Sequence, residues 1–422
     1  MTRMIWLALL GWAFSIPAAA ERLTLEEALA SVAAAHPDQR MAESDLALAQ
    51  ADREQAASRQ DFSLFLDGTL RTGRRPDGDW KPDNIGRVVA RKPLFDFGRS
   101  SQAIEAADQQ VAARQALLFN ASTLRRIDIM ARYFDVLLAD MQYAAHNEFM
   151  AVAYVSWDNA KIRFEVGQIS RPELMRLEAD YQDIREQRNA SLQRLRSTRQ
   201  KLANAMARPG QLPAELAEPD LPHNARPVSE YESLLPWVME KNPRIQALQA
   251  QVAAADARIA SMRAERNPTL DAEVVGGGYS RESSTRDEVS AALVFNIPLY
   301  QGARVDARMA RERAQKERTA AELDKLKLDL AETLLDTLQE IEWLRETSRA
   351  AADKQIEYRD WALERSRAEY ELELKTNLGT SMAETQVAQL RRKQVEYRLA
   401  LALARLEALS GGSLPLAEGA QK

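Results

Sequence analysis

The stretch AELDKLKLDLAETLLDTLQEIEW, residues 321–343, lies inside a longer run from Ala303 to Leu378 that contains neither glycine nor proline. Because an α-helix rises ~1.5 Å per residue, this run of about 76 residues predicts a helix of about 110 Å, several times the diameter of an ordinary domain. Leucines recur here at spacings of three and four residues and form one apolar stripe that needs a partner. On this run alone, a coiled-coil rod is the alternative.

Composition and charge exclude several classes of protein. The chain has 422 residues, of which 45% are hydrophobic and 28% are charged, so it is too apolar for general disorder. Its net charge of -5 leaves no basic surplus for nucleic acid, and we expect no nucleic-acid partner. There is no cysteine, so disulfides are excluded and stability must come from helix packing or assembly.

The first twenty residues are typical of a secretory signal peptide. Arg3 precedes an apolar core from Ile5 to Ile16, and Ala18 and Ala20 form a cleavage pattern before Glu21. A transmembrane anchor is the alternative, but this apolar core is shorter than the ~20 residues that a spanning helix needs. We therefore expect an exported protein whose mature chain begins at Glu21.

Two halves of the mature chain share one plan. Pro37 and Pro243, each at the same point of a helical segment, are 206 residues apart, and the segments FEVGQIS at Phe164 and YELELKT at Tyr370 keep that offset. PLFDFGR at residues 93–99 matches PLYQGAR at residues 298–304 with an offset of 205. An offset this constant indicates tandem duplication. The predicted organisation is a signal peptide (1–20), a first repeat (21–207), a proline-rich connector (208–229), a second repeat (230–412) and a C-terminal tail (413–422).

Each half is predicted to contain a helix, two strands, a very long helix, a turn and another long helix. The first helix, of about 35 residues, begins near Thr24, where Thr24 and Glu27 fit a capping box. The predicted strands cover residues 62–71, 85–94, 269–280 and 288–298. The segment RTGRRPDGDWKPDN between the first two strands is predicted to be an exposed loop, and a second loop covers residues 281–287.

Residues in the predicted strands alternate between two kinds of face. In the first strand Leu64 and Leu66 share one face, whereas Asp67 lies on the other face together with Phe65. This pattern occurs in a membrane barrel wall and also in any half-buried antiparallel sheet, so both remain open. Four strands cannot close a barrel, and an open edge is not tolerated in lipid. If the strands span a membrane, three chains would supply twelve strands.

Catalytic and metal-binding patterns are missing from the sequence. The three histidines, His36, His146 and His223, are far apart and no cysteine accompanies them, so no metal-ligand spacing is present. Gly276 to Gly278 lie inside a predicted strand without a P-loop pattern, and no Ser, His and carboxylate arrangement marks a nucleophile. We therefore expect no enzymatic activity and no cofactor.

The duplicated plan, the paired PLFDFGR and PLYQGAR segments and the glycine turn in RFEVGQISRPELMRLEADYQ resemble the TolC-like outer membrane efflux proteins. The resemblance covers essentially the whole mature chain. It implies a mainly α fold with a small β part: a long α-helical tunnel plus four strands per chain that contribute to a shared twelve-stranded trimeric β-barrel. Pro93, Gly98, Pro298 and Gly302 then mark the strand-to-helix junctions.

The resemblance also implies a function and partners. Such a homotrimer lies in the outer membrane of a Gram-negative bacterium, in contact with outer membrane lipid, and extends into the periplasm. It is a passive exit duct for a tripartite efflux pump or a type I secretion system, joined through a periplasmic adaptor (membrane fusion protein) to an inner membrane RND or ABC transporter. A periplasmic adaptor or coiled-coil scaffold protein is the alternative.

Residues near the two helical turns carry the expected gating and docking roles. By the resemblance, Tyr370, Glu173 and Lys375 belong to links that hold the tunnel closed. Adaptor contact is expected at two turn positions in each repeat, namely Val166 and Gly167 in the first, and Leu372 and Glu373 in the second.

Overall fold

Capping residues and a proline determine where the first two helices of the chain begin. The computed structural model describes residues 22–33, 36–74, 78–212, 215–280, 286–372 and 378–414, so the predicted signal peptide lies outside the described residues. In α1 (Leu25–Ala30), Thr24 Oγ1 accepts the amide of Glu27 and the Glu27 carboxylate accepts the amide of Thr24, which confirms the capping box. The single helix of about 35 residues is wrong, because a new helix, α2 (Pro37–Ser58), begins at Pro37 with His36 as its N-cap.

The first half continues with four strands and two helices. The strands are β1 (Ser63–Thr69), β2 (Thr72–Arg74), β3 (Trp80–Pro82) and β4 (Ile85–Phe95), and the helices are α3 (Arg99–Glu165) and α4 (Arg171–Ala205). The predicted loop between the first two strands is wrong in part, because β2 and β3 form a small antiparallel hairpin there. Residues 75–77, between these two strands, lie outside the described residues.

The second half contains helices, then strands, then long helices, as the first half does. A short 3₁₀ turn (Pro222–Ala225) precedes α5 (Tyr231–Lys241) and α6 (Pro243–Ala264), then β5 (Thr269–Tyr279), β6 (Val289–Asn296), α7 (Arg304–Trp343), α8 (Arg349–Glu371) and α9 (Leu378–Leu409). β6 is shorter than predicted, so Pro298 lies two residues beyond its end, whereas Pro93 lies inside β4 at a register shift. Gly98 and Gly302 have positive φ angles of 89° and 62°; Gly98 directly precedes α3, and Gly302 precedes Ala303, the N-cap of α7.

The long run without glycine or proline is helical from Arg304 to Glu371, with one wider π-helical turn at Leu344–Ser348. Leu326, Leu330 and Leu334 of the predicted stripe are buried. Leu326 and Leu330 pack against Ile245 of α6, so the stripe does have a helical partner within the chain. The prediction of one uninterrupted α-helix is therefore wrong at this π-helical turn. At the turn, the Arg345 guanidinium donates hydrogen bonds to the carbonyls of Asn224 and Arg226 at 3.1 and 2.5 Å.

The described chain divides into two compact units, each built from stretches of both halves. The hairpin unit comprises residues 22–33, 128–222 and 348–397, and the sheet unit comprises residues 36–127, 223–347 and 398–414. In the hairpin unit, Leu23 and Leu216 form a parallel bridge. The buried Tyr133 hydroxyl lies 2.8 Å from the Leu23 carbonyl and 2.5 Å from that of Ala217, and burial raises the pKa of Tyr133 to about 12, so the hydroxyl stays neutral.

The sheet unit holds a four-stranded antiparallel sheet in the order β1-β4-β5-β6. The two halves meet at the central pair, where β4 of the first half pairs with β5 of the second from Ile85↔Tyr279 to Phe95↔Leu270. β1 and β6 are the outer strands, and each pairs on one side only among the described residues. The sheet therefore has two open edges.

Candidate functional site

One face of the sheet carries paired charges. The Arg87 guanidinium lies 2.5 Å from the Asp67 carboxylate, and that of Arg91 lies 2.6 Å from the carboxylate of Glu273. The strand register places these pairs on the same face as Phe65, as predicted from alternation. Each pair joins neighbouring strands, so this face is polar yet almost neutral.

The opposite face is apolar apart from Lys92 near one end, and the described residues leave it uncovered. The side chains at alternate positions of the four strands share this face, and the exposed large ones are Leu64, Leu66, Val88, Val274, Val289, Leu293 and Phe295. Leu66 is 78% exposed and Leu293 is 69% exposed, so none of the described helices covers them. The alternative that this face is buried against a core of the same chain is therefore wrong for the described residues. A contiguous set of exposed large apolar side chains is favourable only against a partner or in an apolar solvent.

An ion-pair cluster ties the β2–β3 arm to the second half. The Asp83 carboxylate accepts from Arg71 at 2.8 Å and from Arg286 at 2.8 Å, and its side chain is only 8% exposed. The hydrogen bonds from these two arginines lower the pKa of Asp83 to about 2. These ion pairs therefore contribute fully to the stability of the fold at pH values above the ordinary carboxyl pKa, and the contribution is lost as the pH falls toward 2. Sequence reasoning missed this cluster because its members are up to 203 residues apart.

The first predicted gate turn joins α3 to α4. The Gly167 amide donates to the Phe164 carbonyl and the Gln168 amide to the Arg163 carbonyl, a Schellman motif in which Gly167 has a φ of 74°. Val166 beside it is 65% exposed. Such an exposed, rigid turn is accessible to a binding partner.

Two of the three predicted gate residues, Glu173 and Tyr370, lie within the described residues. Glu173 lies in the first turn of α4, 3.8 Å from Arg176, and Tyr370 lies near the end of α8 with 52% of its surface exposed. Among the described residues, neither contacts the other. Leu372 is 69% exposed, whereas Glu373 and Lys375 lie outside the described residues.

The described helices and side chains lack two further features. None of the described helices is both long and apolar enough to span a membrane. No group of three or more histidine, aspartate or glutamate side chains within the described ranges converges in a way that would hold a metal ion.

The second half of the chain matches a known protein family. Residues 234–412 match the family model "Outer membrane efflux protein". Among curated proteins, Protein CyaE of Bordetella pertussis is 26% identical over 285 residues, which cover 63% of this chain and 58% of that protein. The match therefore spans little more than half the length of this relative.

Solved structures extend the likeness to almost the whole chain. The CmeC outer membrane channel of Campylobacter jejuni is 12% identical with a TM-score of 0.76, and the match covers 93% of this chain and 86% of that one. The outer membrane protein VceC of Vibrio cholerae is 17% identical with a TM-score of 0.71, covering 93% and 97%. The open-state MtrE outer membrane channel of Neisseria gonorrhoeae is 18% identical with a TM-score of 0.70, covering 94% and 91%.

At these identities the structural matches show the fold alone. The family match shows that residues 234–412 are similar to the outer membrane efflux proteins. The resemblance predicted from the sequence is thereby confirmed: residues 234–412 form an outer membrane efflux protein domain, and the chain has the fold of the outer membrane channels.

Proposed function

We propose that this chain is one subunit of a trimeric outer membrane channel that continues as a periplasmic tunnel. The open four-stranded sheet, with one exposed apolar face, one charged face and two unpaired edges, carries the proposal. In lipid the apolar face is favourable, but the unpaired backbone groups at both edges must be satisfied. β1 and β6 run in opposite directions, so β6 of one copy can pair antiparallel with β1 of the next.

The charged face favours three copies over two. A closed barrel of ~8 strands leaves an interior that side chains fill, whereas larger barrels leave a lumen. Two copies would thus bury Asp67, Arg87, Arg91 and Glu273 in a filled interior, at a desolvation cost. Three copies provide twelve strands and leave these pairs in water.

The long helices support the tunnel. α3 has 67 residues, so it is ~100 Å long, far more than a membrane thickness. We infer a passive duct that serves an efflux pump or a type I secretion system through a periplasmic adaptor, with Val166, Gly167, Leu372 and Glu373 at the adaptor contact.

Cysteine cross-linking tests the assembly, and the chain contains no native cysteine to interfere. Phe65→Cys in β1 combined in turn with Ser290→Cys, Ala292→Cys or Val294→Cys in β6 places both thiols on the charged face. We expect at least one pair to give a covalent trimer in outer membrane fractions. Phe65→Cys with Ala291→Cys is the control, because its thiols point to opposite faces and cannot bond. A soluble periplasmic monomer without cross-links would contradict the channel and favour the adaptor or scaffold alternative.

The gate is tested by conductance. We propose that Tyr370 and Glu173, with Lys375, tether neighbouring chains near the turns. Tyr370→Phe combined with Glu173→Ala then raises single-channel conductance in planar bilayers, because the tether is removed. Tyr358→Phe with Glu178→Ala, exposed positions on the same two helices, is the matched control. Equal conductance of the double variant and the unmodified protein would reject these residues as the gate.

A further inference from the structure

A polar cavity of about 310 Å³ opens in the sheet unit between α2, α3, α6 and α7. Three alanines of α3, Ala103, Ala106 and Ala107, line it and leave its space empty of longer side chains. Arg59 is the C-cap of α2, four residues before β1 begins at Ser63, and Arg99 begins α3. The cavity therefore lies where the helices meet the strands of the sheet.

Most of the charges around the cavity are already paired. Glu265, whose side chain is 9% exposed, accepts from Arg308 with both carboxylate oxygens at 2.9 Å. Arg258 is paired with Glu312 at 2.5 Å. Each pair is neutral, and three of the four side chains, Arg258, Glu265 and Arg308, line the cavity.

Two guanidinium groups of the lining, Arg59 and Arg99, donate no hydrogen bond within the described residues. Arg59 is exposed and makes no ion pair within the described part of the chain. Arg99 forms a long ion pair with the Glu265 carboxylate at 3.7 Å, beyond hydrogen-bond distance, whereas Arg308 donates hydrogen bonds to both oxygens of that carboxylate. Asp52 is the only lining carboxylate outside the two pairs, so Arg59 and Arg99 leave a surplus of positive charge.

We propose that this cavity binds a phosphate-bearing anion, held by Arg59 and Arg99. The guanidinium group is planar and matches phosphate oxygens with two parallel hydrogen bonds. Arg59 follows the end of α2 and Arg99 begins α3, and both line the same alanine-lined space. A volume of about 310 Å³ accommodates a phosphate with part of an attached group.

The phosphate has two possible sources, a lipid headgroup and a soluble phosphate compound. If the sheet lies in the membrane as proposed above, the strand ends bring the cavity to the level of the headgroups. The binding site itself does not depend on that placement, since it rests on the cavity and its charges.

Calorimetric titration of the full chain, purified in an uncharged detergent, tests the proposal. The probes are inorganic phosphate and a short-chain phosphatidylglycerol, with short-chain phosphatidylcholine as the zwitterionic comparison. We expect saturable binding of one anion per chain. Arg59→Gln combined with Arg99→Gln should weaken binding about 100-fold, because removing each guanidinium hydrogen bond to the anion reduces the affinity roughly tenfold.

The matched control is Arg53→Gln combined with Arg114→Gln. These arginines lie on the same two helices, outside the cavity lining, and the change in charge is the same. Ala107→Leu fills the cavity without changing its charge and should also weaken binding. Tighter binding of phosphatidylglycerol than of phosphate assigns the lipid source, and equal or weaker binding assigns a soluble anion.

Absence of binding by both anionic probes would overturn the site, as would equal weakening in the cavity and control variants. Thermal melts of each variant verify that it is folded, and Ala107→Leu keeps the test valid if the arginine variant is not. Channel conductance is measured in parallel, because a conducting protein that binds no anion would refute this site while leaving the proposed channel intact.

Discussion

The two helical hairpins of the hairpin unit are held together by different chemistry. In the first, α3–α4, Trp157 stacks on Tyr181 with ring centroids 5.1 Å apart, and Tyr154 meets Tyr181 edge-on at 5.7 Å. The Lys161 ammonium lies 4.3 Å from the centre of the Trp157 ring. Large aromatic side chains thus fill the space between these helices and offer dispersion and cation–π contacts.

The second hairpin, α8–α9, uses small hydroxyl side chains. The Ser366 and Ser381 hydroxyls are 2.6 Å apart and buried, and the Thr385 hydroxyl donates to the Ser381 carbonyl at 2.9 Å. Helix separation depends on the side chains at the contact, so small residues permit a closer approach. The second hairpin should therefore tolerate added volume poorly, whereas the first depends on keeping its volume.

Ser366→Leu should have the largest effect. The added carbons overpack a closed contact, and Ser381 is left without its hydroxyl partner, so we expect a loss of about 3 kcal/mol in the free energy of unfolding. Chemical denaturation followed by far-UV circular dichroism measures it. Ser366→Ala, which adds no volume, should cost about 1 kcal/mol. Equal costs for the two variants would break the proposed contrast between the hairpins.

Trp157→Ala tests the first hairpin by removing side-chain volume, whereas Ser366→Leu adds it in the second. Removing the ring deletes its stacking on Tyr181 and its contact with Lys161, and because Trp157 is half-buried we expect a loss of about 2 kcal/mol. The same denaturation experiment measures it. Trp157→Phe should keep more than half of this stabilisation, and a phenylalanine variant as weak as the alanine variant would argue against aromatic stacking as the cause.

Gly379→Ala tests where the two hairpins touch. A Cβ atom at Gly379 of α9 would lie 2.7 Å from Cγ2 of Val152 in α3, closer than atoms tolerate. We expect a loss of about 1 kcal/mol, recovered when Val152→Ala is added, since the clash is then removed. The coupling in this double-mutant cycle is the measurement, and strictly additive effects would show that the contact does not limit the packing.

The smallest effect is expected for the ion pair between Arg359 and Glu384, which joins α8 to α9. Both side chains are partly exposed, so a cycle of Arg359→Met and Glu384→Gln should give about 0.5 kcal/mol of coupling. The coupling should fall in ~1 M salt because charges are screened. A salt-independent coupling would indicate that the pair is shielded from water in the assembled protein.

Local sequence signals predicted many of the elements. The capping box at Thr24, the glycine turn at Gly167 and the alternation in β1 depend on residues a few positions apart, and the structure has all three. The boundary at Pro37 was missed because the residues around it are good helix formers, and the backbone effect of proline prevailed. The β2–β3 arm was missed because its strands are only three residues long.

The candidate sites also divide into features that local sequence patterns predicted and features that they did not. Alternation predicted which strand residues share a face, but the Asp83 cluster and the arginine cavity combine side chains from distant parts of the chain. The tandem duplication and the gate roles of Tyr370, Glu173 and Lys375 remain predictions.

The sequence by itself determined the long helices, because a run without glycine or proline and with one apolar stripe has no stable alternative in water. It also determined the two kinds of strand face, since successive side chains in a strand point in opposite directions. Only the tertiary structure decided that β4 pairs with β5 and that Arg286 reaches Asp83, because these contacts join segments about 200 residues apart. Such pairings depend on the free energy of the whole packed chain, which no local pattern specifies.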